Sequence, residues 1–261
     1  MKKTYFISGD IHSFFEFWKE SLDKKGFDIN NDSHILVVLG DLFDRGRESK
    51  ECLDFVTSLP KERTVLIRGN HETLLEDLLK LERGVGYYDY TNGTVQTIID
   101  LSAHHELCDL STDTENVAKN EKLKEYYSRL VWFFEPDKHN VFCHGWLPIK
   151  DYTLDEEELE VAGDNECYIP NNWRTLPELE WNRASWRNGM ALWDEGARLE
   201  DVTIWCGHWH TSWGHYHLHA EGSEWGDDAI FDPFIDEGIV ALDGCTAYTH
   251  QVNVMTLEVD E

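Results

Sequence analysis

Residues 34–46 read HILVVLGDLFDRG: five consecutive apolar residues of strand length, a glycine that breaks the run, and then Asp41, Asp44 and Arg45 crowded into a short turn. Two neighbouring stretches repeat the pattern, KTYFISGDIH at 3–12 and RTVLIRGNHE at 63–72. Each apolar run is followed by a segment of helical period, at about 13–25, 47–58 and 71–83. Strands that alternate with helices predict an α/β fold with parallel strands, in which ligands gather at the carboxyl ends of the strands. Asp10, Asp41 and Asn70 all fall at such ends.

Outside this block the pattern loosens. Residues 84–130 carry a Gly- and Tyr-rich turn, GVGYYDYTNG, and then two segments with helical periodicity; they read as an insertion on the rim where the polar turns lie. A second insertion, about 151–200, opens with DEEELE, contains NNWRTLPELEWNRASWRNGMALW, and has no clean period of either kind. It reads as a lid or substrate wall, or equally as a surface excursion. Strand-like runs return in DVTIWC (201–206), GIVALDG (238–244) and HQVNVMTLEV (250–259). With 261 residues, 41% of them hydrophobic, one core accounts for the chain, so a single domain, 1–261, decorated by the two insertions is expected.

Composition narrows the function. The formal net charge is −28, with 51 acidic and 23 basic residues, which repels long polyanions and argues against extended nucleic acid as a partner. No stretch has the length and apolarity of a signal peptide or membrane span, so no membrane partner and a cytoplasmic location are expected. The six cysteines are scattered without a CxxC pair and read as reduced structural thiols.

Five short motifs carry the chemistry: GDIH (9–12), GDLFDRG (40–46), RGNHE (68–72), CHG (143–145) and GHWH (207–210). A lone histidine means little. Five motifs in order, each joining glycine to Asp, Asn or His after an apolar run, point to a metal centre. Divalent cations of hard or borderline character take carboxylate and amide oxygens and imidazole nitrogens, and two of them roughly 3.5–4 Å apart need a carboxylate bridge. Asp41, central among the candidate ligands in sequence, is the expected bridge.

The motif set resembles the calcineurin-like metallophosphoesterases, in particular the branch of PPP-type serine/threonine phosphatases and symmetrical diadenosine tetraphosphatases. The resemblance is dense over residues 5–75 and continues through CHG, GHWH and IVALDGCTAYTHQVNVMTLE (239–258), which is similar to that branch's last hairpin. It implies a sandwich of two mixed β-sheets flanked by helices. It also implies two divalent ions, manganese first among candidates that include iron, zinc, cobalt and nickel. By position, Asp10, His12 and Asp41 would hold the first ion, and Asp41, Asn70, His144 and His208 the second. His71 and Asp44 match the acid dyad, Arg45 and Arg68 the phosphate-gripping arginines, and Arg183 in EWNRASW a further phosphate contact. The wider superfamily places the second His of G-H-x-H on the first metal, so His210 either completes that site or orients a ligand.

The implied reaction is in-line attack of a water activated between the two ions on a phosphomonoester or phosphoanhydride, with His71 protonating the leaving oxygen. A small phosphorylated molecule, a dinucleoside polyphosphate or a phosphoprotein is the expected substrate. A nuclease and a non-catalytic scaffold are the competing readings; the acidic surface opposes the first, and the complete ligand and dyad set opposes the second. Tyr87, Tyr88, Tyr90, Trp173, Trp181 and Trp186 read either as core or as faces that stack a nucleobase. His215, His217 and His219 alternate as on a strand, which would bring all three to one face.

Overall fold

The structure is a computed structural model and describes residues 2–80, 84–102, 109–150 and 167–260. Along the chain its elements are β1 (Lys2–Ser8), α1 (Phe15–Lys25), β2 (His34–Val38), α2 (Ser49–Ser58), β3 (Thr64–Ile67), α3 (Asn70–Leu79), α4 (Tyr87–Thr91), α5 (Thr94–Leu101), α6 (Leu110–Ala118), α7 (Glu121–Arg129) and β4 (Leu130–Val131). There follow β5 (Phe133–Asp137), β6 (Asn140–Cys143), α8 (Glu178–Ala184), α9 (Gly189–Asp194), β7 (Thr203–Cys206), α10 (Thr211–His219), β8 (Phe234–Asp236), β9 (Ile239–Ala241), α11 (Thr246–Thr249) and β10 (Val254–Asp260).

Two sheets result, ordered β10-β1-β2-β3-β4 and β5-β6-β7-β9-β8. In the first, β1 to β4 are parallel and β10 runs antiparallel to β1; in the second, β6, β7 and β9 are parallel and the outer strands antiparallel. Alternation along the strands explains the sandwich. Tyr5, Ile7, Ile35, Val37, Val65 and Ile67 meet Phe142, Trp205 and Val240 between the sheets. Phe6, Leu36, Val38 and Leu66 point the other way, onto Trp18 and Leu22 of α1, Leu53 and Val56 of α2 and Leu75 of α3. Because both faces are covered, the middles of these strands, 5–7, 35–38 and 65–67, are apolar at every position and show no period of two in the sequence. The two mixed sheets flanked by helices are the architecture the motifs implied.

Elsewhere the structure departs from the expectations. The first two helices begin two residues later than expected, and α3 begins at Asn70, one residue earlier, and ends at Leu79; residues 81–83 lie outside the described set. The first insertion holds four short helices, α4 to α7, rather than two, with 103–108 not described. The second is not described over 151–166, but its Trp-rich part is core: Trp173 and Trp181 are buried with Trp146, Met190 and Trp193 against the outer face of the second sheet. Short helices broken by Pro177 and Asn188 hid that burial from any periodicity. The final strands form no hairpin, since β9 belongs to one sheet and β10 to the other. His215, His217 and His219 stand on the helix α10, not on a strand, so His217 leaves the face that His215 and His219 share. No helix among the described residues is long and apolar enough to cross a membrane.

The strand ends of the first sheet are tied together by Glu72, in the first turn of α3 and fully buried. Its Oε2 accepts the N–H of Asp41 (2.9 Å) and of Gly69 (2.8 Å), while Oε1 accepts the N–H of Leu42 (2.9 Å) and the hydroxyl of Tyr126 (3.0 Å). Truncation by Glu72→Ala strands three buried N–H groups, each costing about 1–3 kcal/mol. We expect a loss of about 3 kcal/mol or more, seen as a lower urea midpoint at unchanged m-value; an unchanged midpoint would show that the loops stand without this carboxylate.

Candidate metal and phosphoester site

The turns after β1, β2 and β7 hold their polar residues in backbone conformations that side chains rarely adopt. His12, Asp41, Asp44, Arg45 and His208 all have left-handed φ, between 51° and 73°. Such residues cost on the order of 1–3 kcal/mol each and persist where the surroundings over-determine them. Glycine provides the room: Gly40 sits at φ 103°, where a Cβ would come 2.6 Å from His144 Nδ1.

Asp41 is the centre of the cluster. Its Oδ1 lies 3.3 Å from His144 Nε2 and accepts the N–H of His71 at 3.0 Å, and its Oδ2 lies 3.8 Å from His12 Nε2 and 3.9 Å from His71 Nε2. Two groups have ligand atoms close enough to share an ion, His12–Asp41–His71 and Asp41–His144–His208, and Asp41 belongs to both. Asn70 Oδ1 is 2.9 Å from His144 Nε2. Asp10 accepts the N–H of His208 at 2.9 and 3.1 Å through its two oxygens.

The donor set fits divalent cations. His12 Nδ1 is 3.1 Å from the Phe43 carbonyl, His144 Nδ1 is 2.7 Å from the Leu39 carbonyl, and the Trp186 carbonyl is a hydrogen-bond partner of His208. A backbone carbonyl that takes one ring N–H leaves the other nitrogen as the ligand, and in His12 and His144 that nitrogen is the one facing Asp41. Burial also concentrates negative charge here. Burial, and then the neighbouring Asp243, push the Asp10 carboxyl well up. Burial would raise Asp41 too, but His144, His71 and His12 hold it well below the usual carboxylate range. Burial disfavours the His144 imidazolium, yet Asp41 and Asp10 lift its pKa to about 10. His208, by burial and by its proximity to His144, falls to about 3 and stays neutral. Asp10, Asp41 and Asp243 are buried together with Arg45 as the neighbouring guanidinium, and desolvation pushes Asp10 and Asp243 towards their neutral form, which a bound cation would reverse.

His71 stands beside this centre, paired with Asp44. Its Nδ1 is 2.8 Å from Asp44 Oδ2, and Asp44 is fixed in turn by the hydroxyls of Thr94 (2.8 Å) and Thr97 (2.7 Å) from α5. Burial lowers the His71 pKa, but Asp41 and Asp44 outweigh it and raise the group. Arg45 Nη2 lies 3.5 Å from His71 Nε2.

Three of the expected residues are placed elsewhere. Arg68 pairs with Glu76 and lies over the rings of Trp132 (5.3 Å) and Tyr127 (5.8 Å), lining a groove between α3 and α8. Arg183 is exposed and pairs with Glu180 at 2.8 Å. His210 turns away to Glu224, 3.3 Å from its Nε2, and stacks on Trp225 at 4.3 Å. Sequence reading, in turn, passed over several residues. Glu72 was inside a motif without a role. Thr94 and Thr97 sit in an insertion that shows only helical period, and Asp243 in LDG looks like any strand-end aspartate. The one available signal was the repeated pattern of an apolar run, Gly or Asp, and a polar turn, which IVALDG also carries.

A sequence model of the calcineurin-like phosphoesterases matches residues 4–238, and the chain belongs to that family. Among curated relatives, a symmetrical bis(5'-nucleosyl)-tetraphosphatase of Buchnera aphidicola subsp. Baizongia pistaciae is 44% identical over 72 residues, 28% of this chain and 24% of the relative. Another, from Aromatoleum aromaticum, is 27% identical over 188 residues, 71% of this chain and 60% of the relative. The chain thus spans a quarter to three-fifths of the length of these two proteins. Among solved structures, one described as a putative diadenosine tetraphosphatase superposes with a TM-score of 0.52 at 15% identity, covering 98% of this chain and 93% of that one. A cold-active protein-tyrosine phosphatase of a psychrophilic Shewanella gives 0.50 at 15% identity, covering 98% and 75%. At such identities these two speak for the fold.

The raised His144 pKa has a measurable consequence. Below about pH 10 the metal-free site keeps a proton on His144 that a cation must displace, so binding releases about one proton at pH 8 and tightens about tenfold per pH unit. Calorimetry in buffers of different ionisation enthalpy reads this directly, and no proton release would show His144 neutral in the metal-free protein. Asp44→Asn removes one of the groups that raise His71, so the His71 imidazole should titrate at lower pH by NMR. A titration that does not move would show that Asp44 does not hold the imidazolium.

Proposed function

We propose that the chain is a dinuclear-metal hydrolase that splits dinucleoside tetraphosphates symmetrically, adding water across the central anhydride to give two nucleoside diphosphates. In this reading Asp10, His12 and Asp41 hold one ion and Asp41, Asn70, His144 and His208 the other, with Asp41 as the shared ligand. Bound there, the ions supply Lewis-acid charge and an activated water for in-line attack at phosphorus. Arg45 takes an equatorial phosphoryl oxygen through charge-assisted hydrogen bonds as negative charge accumulates. His71, oriented by Asp44, donates its Nε2 proton to the departing phosphate oxygen, a contribution of about 10²–10⁴-fold for acid catalysis of this kind. Manganese suits the mixed oxygen and imidazole donors, and so do iron, zinc, cobalt and nickel.

The observation that carries the nucleotide over a phosphoprotein is aromatic. Most tryptophans of the chain are buried, but Trp186 and Trp209 are 46% and 37% exposed, and their rings lie 6.2 and 6.0 Å from the ring of His208. Open indole faces beside a candidate metal ligand suit a base whose phosphates reach the ions, since stacking on an aromatic ring is worth about 1–3 kcal/mol per base. The names of the curated relatives point the same way, and the charge of −28 disfavours long nucleic acid. Trp173 and Trp181 belong to the core and take no part.

Metal-free protein resupplied with Mn²⁺ should release ADP as the sole nucleotide from diadenosine tetraphosphate, with kcat/KM far above those for a phosphoserine peptide, p-nitrophenyl phosphate and bis-p-nitrophenyl phosphate. Trp186→Ala and Trp209→Ala should each raise KM for the dinucleotide about tenfold and leave inorganic tripolyphosphate hydrolysis unchanged. Preference for the peptide would instead make the chain a protein phosphatase, and dominance of the diester would make it a phosphodiesterase.

A further inference from the structure

Outside the candidate site, α10 carries three histidines, and its period sorts them. His217 lies on one side, with its Nε2 2.9 Å from Glu224 Oε2. His215 and His219, one turn apart, share the other side, and both meet the ring of Phe234, His215 edge-on at 5.6 Å and His219 tilted at 4.6 Å between centroids. Immediately beyond the helix the chain passes through the left-handed Ala220, φ 55°, and Glu221 donates its N–H to the His215 carbonyl at 2.9 Å. That turn brings the Glu221 carboxylate back over the histidine pair. One ligand atom from each of His215, His219 and Glu221 lies within 4.8 Å of the others.

The hydrogen bonds around the three say which atoms are available. His215 Nε2 is 3.2 Å from the Asp232 carbonyl, an acceptor only, so this nitrogen carries the proton and in the neutral ring Nδ1 keeps its lone pair. That nitrogen faces Glu221 Oε2, an acceptor, at 3.4 Å, so either a proton or a metal cation between them satisfies both. The separation is close to the edge of a tetrahedron with metal–ligand bonds of about 2.0–2.1 Å, roughly 3.3 Å. His219 Nε2 lies 2.9 Å from Asp236 Oδ2 in β8, which provides either the carboxylate that orients a ligating imidazole or a fourth donor. The site sits over the last turn of α10, where unpaired carbonyls favour a cation.

We infer that His215, His219 and Glu221, supported by Asp236, form a second, structural binding site for one divalent cation of the borderline class such as Zn²⁺, Ni²⁺ or Co²⁺. Two imidazoles and a carboxylate select such ions over Ca²⁺ and Mg²⁺. The ion would fasten the end of α10, the turn at 220–221 and β8 into one unit. α10 begins directly after the GHWH turn, so the ion would fasten the helix that follows His208 and Trp209 without contributing an atom to that site.

The test uses the chelator-stripped 261-residue chain and Zn²⁺ alone as the probe. Equilibrium dialysis with elemental analysis should show one zinc per chain more in the parent than in the double variant His215→Gln/His219→Gln, and zinc should raise the Tm of the parent more than that of the variant. Hydrolysis of p-nitrophenyl phosphate with saturating Mn²⁺ should be the same in both, which reports on the other centre separately. Glu221→Gln, which removes only a charge at an exposed position, should weaken the extra zinc at least about tenfold and guards against a failure of the double variant to fold. Equal zinc stoichiometry in parent and both variants would overturn the site and leave His215 and His219 as ordinary surface partners of Glu221 and Asp236.

Discussion

A carboxylate buried among imidazoles cannot be left to itself. Asp41 is held in a left-handed turn at the end of β2, within 4 Å of His12, His71 and His144, with Asp10 and Asp243 buried nearby. Desolvating that much charge is costly unless geometry and countercharge are both supplied. The first sheet supplies the geometry by ending three parallel strands side by side, and Glu72 locks the loops by taking the N–H groups of Asp41, Leu42 and Gly69. Countercharge comes from protons on the imidazoles or from cations, and the two compete for the same lone pairs.

Tautomers follow from the same arrangement. Carbonyls at Phe43 and Leu39 face the Nδ1 atoms of His12 and His144, and both belong to the chain around the Asp41 turn. The backbone that places the central carboxylate therefore also sets which nitrogen of each histidine is free. Such coupling makes the site a property of the sheet edge as a whole and explains why left-handed strain is concentrated in it. The α5 helix extends the logic outward, since Thr94 and Thr97 hold Asp44, which holds His71.

Aromatic residues divide by layer. Trp18, Trp146, Trp173 and Trp181 fill the spaces between sheets and helices, whereas Trp186 and Trp209 open beside His208 and Trp225 covers His210. The ring of Trp225 and the carboxylate of Glu224 account for the orientation of His210, which the sequence alone left either completing the candidate metal site or orienting one of its ligands. Arg68 shows the same effect of neighbours: a glutamate two turns along α3 and the face of Trp132 draw its guanidinium into a groove.

The sequence by itself determined the parts of this protein that depend on local order. Apolar runs ending in Gly-Asp or Gly-Asn specify strands with polar tips, and three such tips joined by the His-bearing CHG and GHWH turns specify a rim of candidate metal ligands, because strand length, turn chemistry and ligand type are all readable within ten residues. Tertiary structure alone decided what depends on neighbours distant in the chain. It placed β9 and β10 in different sheets, made a core of the Trp-rich insertion whose helices are too short to show a period, and gave Glu72 and Thr97 their partners 30 and 53 residues away. It also turned three alternating histidines into a helical pair and a single residue, since apolar spacing cannot distinguish a polar strand face from a helix that buries only a narrow stripe.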